Sequence, residues 1–278
     1  MGSRTCDVYF AFGPEPGSYL LSTRTEFRTS RMPPFLTERM TNVDRVHWAV
    51  VGVNGYAAFA YRGKDAEEGE WSWRSSAFSS GLPKPNARLA KIVSENRSLS
   101  ISVTMGPGNT VVICDPVKGK VYAANLDKDV ETLIKMRRNV WHVALGVDGA
   151  YVILHDQGVS WDLRGKYGNL DKLLSRMNEE GGPDVSYVTL NPWRADQYFL
   201  VHRDGTAHVQ MDVPTEVELR PLLKRHDGPC PTAERAAKVL EASNPRKIQE
   251  HPPAPSANGQ GFTWLRNPFG HGANALGM

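Results

Sequence analysis

The chain alternates short apolar runs with breaks that carry glycine or proline, and one pattern recurs: apolar strand, tight turn, second apolar strand. Five copies begin at Val8 (VYFAFGPEPGSYLLST), Val46 (VHWAVVGVNGYAAFAYR), Ile101 (ISVTMGPGNTVVICD), Val140 (VWHVALGVDGAYVILHD) and Val185 (VSYVTLNPWRADQYFLVHR). With Gly13, Gly52, Gly106, Gly146 and Asn191 as the shared turn position, the separations are 39, 54, 40 and 45 residues, the long one containing an acidic insertion around Lys64 to Gly69. After the second strand most copies turn again into a third, at Glu70–Trp73, Gly119–Tyr122, Gly158–Trp161 and Asp204–His208. Glycine in these turns takes positive φ without steric cost, as tight hairpins require. Each unit is therefore predicted to be a three-stranded meander.

Between units the apolar period switches from two to about three and a half. Leu170-Leu173-Leu174-Met177 and Val130-Leu133-Ile134 read as helices, and Phe35–Met40, Ala87–Val93 and Val217–Leu223 follow the same spacing. These are expected to be connectors that pack their leucines against the sheets. Units of 40 to 45 residues built from successive antiparallel strands suit a β-propeller, where radial repetition shields the sheet edges. The predicted fold is all-β: a five-bladed propeller of three-stranded repeats with short connecting helices over residues 7–225, followed by a C-terminal helix and a Pro/Gly-rich tail over 226–278. The helix is placed at Pro231–Ala242, capped by Thr232. The tail is read as mobile or as an extended segment lying over the propeller, with Phe262, Trp264, Leu265 and Phe269 as an apolar patch for docking.

The motifs Gly106-Pro107, Gly146-Val147-Asp148-Gly149, Trp161 and Leu170 to Leu174 make the chain resemble uncharacterised fungal propeller-like repeat proteins over about Asp7 to Lys224. That resemblance implies an architecture and no activity. The single Trp161-Asp162 lacks the Gly-His partner of tryptophan-aspartate repeats.

Side chains alternate along a strand, so the aligned first strands give a register. One and three positions before the turn stand Phe12, Val51, Met105, Leu145, Leu190 and Phe10, Ala49, Val103, Val143, Val188, a wholly apolar set assigned to the core. Two positions before it stand Ala11, Val50, Thr104, Ala144 and Thr189, small enough to wall a narrow axial channel. Four positions before it stand Tyr9, Trp48, Ser102, His142 and Tyr187, expected to ring the channel mouth either as an aromatic-lined ligand pocket or as a structural plug. Asp7 is placed on the same side of its strand as Tyr9, as a group to orient a ring histidine or as a solvated terminal charge. Trp193 and Arg194, in the last turn, are expected to be exposed and to suit a binding hot spot.

Composition narrows the function. The balance of 33 basic against 30 acidic residues lacks the positive field that nucleic acid demands, and no apolar run is long enough to cross a bilayer. Cys6, Cys114 and Cys230, odd in number and far apart, read as reduced thiols of a cytoplasmic protein. Phosphate-loop, nucleophile-elbow and metal-pair signatures are missing, so neither cofactor nor metal is expected. The leading expectation is a non-catalytic propeller that binds a small apolar or aromatic molecule, a glycan or a protein partner through Tyr9, Trp48, Ser102, His142, Tyr187, Asp7 and Trp193. The alternative is a cofactor-free cyclase, isomerase or lyase acting on an apolar metabolite. There His142 would be general base or acid, with Tyr9 and Tyr187 donating hydrogen bonds to developing charge.

Overall fold

A computed structural model describes residues 8–23, 26–32, 34–51, 57–64, 72–75, 101–180, 184–212, 215, 216, 219, 265 and 266. Within them the chain is mostly strand, arranged in small antiparallel sheets with few helices, as an all-β protein. Sheet 1 is β1 (Tyr9–Phe12), β2 (Tyr19–Ser22) and β3 (Phe27–Ser30); sheet 2 is β4 (Val43–Val51), β5 (Ala57–Gly63) and β6 (Ser72–Ser75). Sheet 3 holds β7 (Ser102–Met105), β8 (Val111–Asp115) and β9 (Lys120–Ala124), and sheet 4 holds β10 (His142–Leu145), β11 (Tyr151–His155) and β12 (Gly158–Asp162). Sheet 5 is β13 (Val185–Leu190), β14 (Tyr198–His202) and β15 (Ala207–Gln210). A two-residue strand, β16 (Leu265–Arg266), pairs in parallel with the outer edge of β12.

All five repeats thus fold as meanders, including the first, whose third strand the turn chemistry concealed. Its β2–β3 turn has no glycine. The Thr23 hydroxyl instead accepts from the Glu26 N–H at 2.9 Å, and the Thr23 N–H donates to the Glu26 carbonyl at 2.7 Å, a side-chain turn that does the same work. Among the described residues, helices α1 (Pro34–Arg39), α2 (Lys128–Met136) and α3 (Gly168–Glu180) separate sheets. Asp127 caps α2 by accepting from the Asp129 N–H at 2.8 Å. The expected helices at Ala87–Val93 and Pro231–Ala242 lie outside the described residues, as do Asp7 and all of Val217–Leu223 except Leu219.

The first strands neighbour one another in order: β1 with β4, β4 with β7, β7 with β10, β10 with β13, and β13 with β1. Buried clusters follow the same sequence. One holds Leu20, Val46 and Phe59 with Leu36 of α1; a second joins Trp48 and Ala60 to Val103 and Ile113; a third joins Val112 and Cys114 to Val143 and Ile153 with Ile134 of α2. A fourth sets Leu154 and Trp161 against Val188, Leu200 and Leu174 of α3, and a fifth sets Phe10, Tyr19 and Leu21 against Phe199 and Val201. Each pair of neighbouring sheets, the fifth and first included, therefore shares an apolar seam. A fully buried Phe or Leu in such a seam contributes roughly 1.5–3 kcal/mol.

The turn glycines are explained by closeness. A Cβ on Gly106 would sit 2.9 Å from Leu145 of the next sheet, and one on Gly146 would collide with the Tyr167 hydroxyl. Both turns close in the same way, with Gly106 N–H donating to the Thr110 carbonyl at 2.8 Å and Gly146 N–H to the Ala150 carbonyl at 2.7 Å.

Candidate functional site

The position four residues before each turn builds the centre of the molecule. In β4 and β13 the ladder skips one residue just before it: Val46 faces Tyr61 while Trp48 faces Ala60, and Val185 faces His202 while Tyr187 faces Val201. Such a bulge adds local twist and re-aims the side chain that follows. Trp48 and Tyr187 are the side chains re-aimed.

These side chains then reach across to the next sheet. The Tyr9 hydroxyl donates to the carbonyl of Ala49, the Tyr187 hydroxyl donates to the carbonyl of Phe10 at 2.5 Å, and His142 Nε2 lies 2.5 Å from the carbonyl of Val188. Ala49, Phe10 and Val188 occupy one repeat position, three residues before the turn. The contact is thus a repeated bond from one first strand to the next. Ser102 joins by its Oγ, 2.6 Å from His142 Nδ1.

The geometry fixes the state of His142. A carbonyl only accepts, so Nε2 carries the proton, and the neutral ring leaves Nδ1 to accept from the Ser102 hydroxyl. Burial holds this imidazole down to about 4, the Val188 carbonyl opposing only in part. Burial likewise pushes the Tyr9 phenol up to about 12, against the hydrogen bond to Ala49. Both groups are neutral across the physiological range.

The rings touch as well as bond. Tyr187 lies between Tyr9, with centroids 5.6 Å apart, and His142, at 5.0 Å. Trp48 is buried in the seam between sheets 2 and 3, with Tyr9 packed against it. Of the residues singled out from sequence, Tyr9, Ser102, His142 and Tyr187 form one connected arc, with Trp48 beside it.

A pocket of about 380 Å³, counting its open mouth, runs from Tyr9, His142 and Tyr187 to the turn residues Pro192 and Trp193. Because that volume includes the open mouth, the enclosed part is smaller than a whole metabolite needs. Its wall includes Ala11, Val50, Thr104 and Thr189, the small-residue position. The hydroxyls of Thr104 and Thr189 make no hydrogen bond among the described residues, and both residues are partly accessible.

Around the mouth, two residues act that the motif search undervalued. Tyr167 donates to the Asn191 carbonyl at 2.6 Å and accepts from the Val147 N–H at 3.0 Å, so one hydroxyl ties the fourth turn to the fifth. Arg194 donates to the Pro14 carbonyl from both terminal guanidinium nitrogens at 3.1 Å, tying the fifth turn to the first. Neither Trp193 nor Arg194 is fully exposed: each is half-buried, and Trp193 packs on the seam of sheets 5 and 1. The only sequence signal for Tyr167 was an aromatic next to a helix start. No group of His, Cys, Asp and Glu suited to a metal ion occurs among the described residues, and none of their helices is long and apolar enough to cross a membrane.

Comparison of the chain with protein-family models, with curated proteins and with solved structures returns no match. Function is therefore argued from the site alone.

Proposed function

We propose that the five sheets are the blades of a five-bladed β-propeller, and that the chain is a non-catalytic cytoplasmic binding module that receives its partner at the face bearing the first-strand turns. Support for the architecture is the unbroken succession of first-strand neighbours and apolar seams, with β13 beside β1. The observation that carries the functional reading is the state of His142: both nitrogens are spent on Ser102 and Val188, and the imidazole is held neutral. A general base needs a free lone pair aimed at substrate, and here the lone pair is used within the arc.

What the pocket offers instead is shape. Its reachable surface combines Met105, Trp193 and the hydroxyls of Thr104 and Thr189, an apolar throat with two polar contacts. Its capacity favours one small apolar group of a larger partner, seated with the rest of that partner on the turns. The buried thiol of Cys114, pushed well above the ordinary range by burial, fits a reduced compartment.

The test compares Trp193→Ala with His142→Gln against a metabolite extract and a peptide library, read by thermal shift and by mass spectrometry of what is retained. A binding module loses its ligand in Trp193→Ala and keeps it in His142→Gln. A ligand that needs His142, ignores Trp193 and is chemically changed on standing would instead establish catalysis.

A further inference from the structure

Sheet 4 differs from sheets 1, 3 and 5 at its outer edge. The third strands β3, β9 and β15 are largely accessible, with only Ala124 buried among their residues, whereas all five residues of β12 are buried. Val159 and Trp161 pack against α3, in the cluster that includes Leu170 and Leu174, and the Trp161 indole donates to Asp171 at 2.9 Å. Gly158, Ser160 and Asp162 alternate onto the opposite face, where Ser160 Oγ lies 2.9 Å from Nε2 of the buried His155 and Asp162 accepts from the Arg164 N–H at 2.9 Å. Along this edge runs β16, with Ser160 opposite Leu265 and Trp161 opposite Arg266.

We propose that the outer edge of β12 is a strand-addition site, filled in the isolated chain by its own Leu265–Arg266 and open in trans to the same segment of a second copy. A sheet edge presents a row of unpaired N–H and C=O groups and binds an extended strand through its backbone. The occupant here is parallel to β12, which no hairpin can deliver, so the segment arrives from elsewhere in the chain. Leu219 is buried in the seam of sheets 5 and 1, and 45 residues lie between it and Leu265. At about 3.3 Å per extended residue that length can span roughly 150 Å, enough to reach a neighbouring molecule as well as its own sheet. Two residue pairs make a small contact, and one readily exchanged. The sequence around it, Phe262-Thr263-Trp264-Leu265-Arg266, is aromatic and apolar with a single cation. The site is separate from the turn-face pocket and does not depend on it.

The probe is a fluorescent peptide of residues 260–270 added to the full-length chain, wild type or Leu265→Pro. Proline removes the N–H and disfavours strand pairing. In Leu265→Pro the edge is vacated, and the peptide is expected to bind at least ten times more tightly than to wild type. The same peptide with proline at the Leu265 position does not bind. Amide exchange over Val159–Asp162 rises in Leu265→Pro and falls again on adding the intact peptide. For the trans occupant, two differently tagged wild-type chains mixed at high concentration co-purify, and co-purification disappears when both carry Leu265→Pro. Equal peptide binding by the two chains, or unchanged exchange over Val159–Asp162, overturns the strand-addition site. Failure of the tagged chains to co-purify overturns the second copy as occupant.

Discussion

The seam between sheets 4 and 5 and the seam between sheets 5 and 1 solve one packing problem with different means. At the first, the two sheets are consecutive in the chain, and the connector itself supplies the fastening. Tyr167 bridges the two turns, the Asp196 N–H donates to the Lys166 carbonyl at 2.8 Å, the Gly168 N–H donates to the Asp196 carboxylate at 2.9 Å, and α3 covers the core. At the second seam the partners stand 177 residues apart, so no short connection joins them, and Met211 and Leu219, which follow β15, add their side chains to its cluster. Bringing such distant strands together costs roughly 4–5 kcal/mol of loop entropy by the logarithmic estimate.

Aromatic mass meets that cost. Phe10, fully buried, stacks on Phe199 at 4.7 Å and on Tyr19 at 5.6 Å, each with an interplanar angle of 13°. The equivalent residues at the other repeats are Ala49, Val103, Val143 and Val188, none of them aromatic. At this repeat position the one aromatic ring stands at the seam whose strands are farthest apart in sequence. The bond from ring residue to neighbouring carbonyl is common to both seams, made by His142 at one and Tyr187 at the other.

The sharpest way to break this comparison is Phe10→Ala. A buried Phe→Ala change typically costs about 3–5 kcal/mol, and the loss should fall on the long-range seam. Urea unfolding followed by amide exchange is expected to show sheet 1 released before sheets 4 and 5. A uniform loss of protection would mean that the two seams are one cooperative unit.

Protonation probes the shared bond. His142, His47 and His155 are each lowered to about 4 in the folded chain, chiefly by burial, against an ordinary value of 6.5. The unfolded chain therefore binds more protons between those values, so stability is fully present above about pH 6.5 and declines as pH falls toward 4. His142→Gln removes one of these groups, while His208, also lowered by burial, stays. Its stability, measured by denaturant titration across that window, should decline less steeply than that of wild type, and an unchanged slope would contradict the buried neutral state.

The smallest effects separate the two fasteners at the turns. Tyr167→Phe leaves the Asn191 carbonyl without its donor inside the seam, a loss of about 1–3 kcal/mol. Arg194→Ala removes a half-buried hydrogen bond to Pro14, with about 1 kcal/mol expected. Chemical denaturation of both variants should rank Tyr167 above Arg194, and the reverse order would mean that the turns of sheets 5 and 1 bear the greater share.

Much of the fold was legible because repetition multiplies a weak signal. One hairpin with a glycine turn is ambiguous, but five in register placed Phe10, Ala49, Val103, Val143 and Val188 in the core, where all are buried. The third strand Phe27–Ser30 escaped notice because its turn uses the Thr23 side chain in place of glycine. Alternation along the strand gave Tyr9, Ser102, His142 and Tyr187 as one set before any contact was known. Their partners were not legible, since the acceptors are backbone carbonyls that every residue carries. Arg194 was misjudged as exposed for a similar reason: the carbonyl that draws it inward belongs to Pro14, at the other end of the described fold.

The sequence by itself determined the meanders, the apolar faces and the set of side chains aimed at the centre, all of which depend on local sterics and on a period of two. Tertiary structure alone decided that His142 is neutral with both nitrogens engaged, that Tyr167 and Arg194 lace the turns, and that Leu265–Arg266 lies along β12. Those outcomes hang on desolvation and on distances of about 3 Å between residues far apart in the chain, quantities that exist only once the sheets have come together.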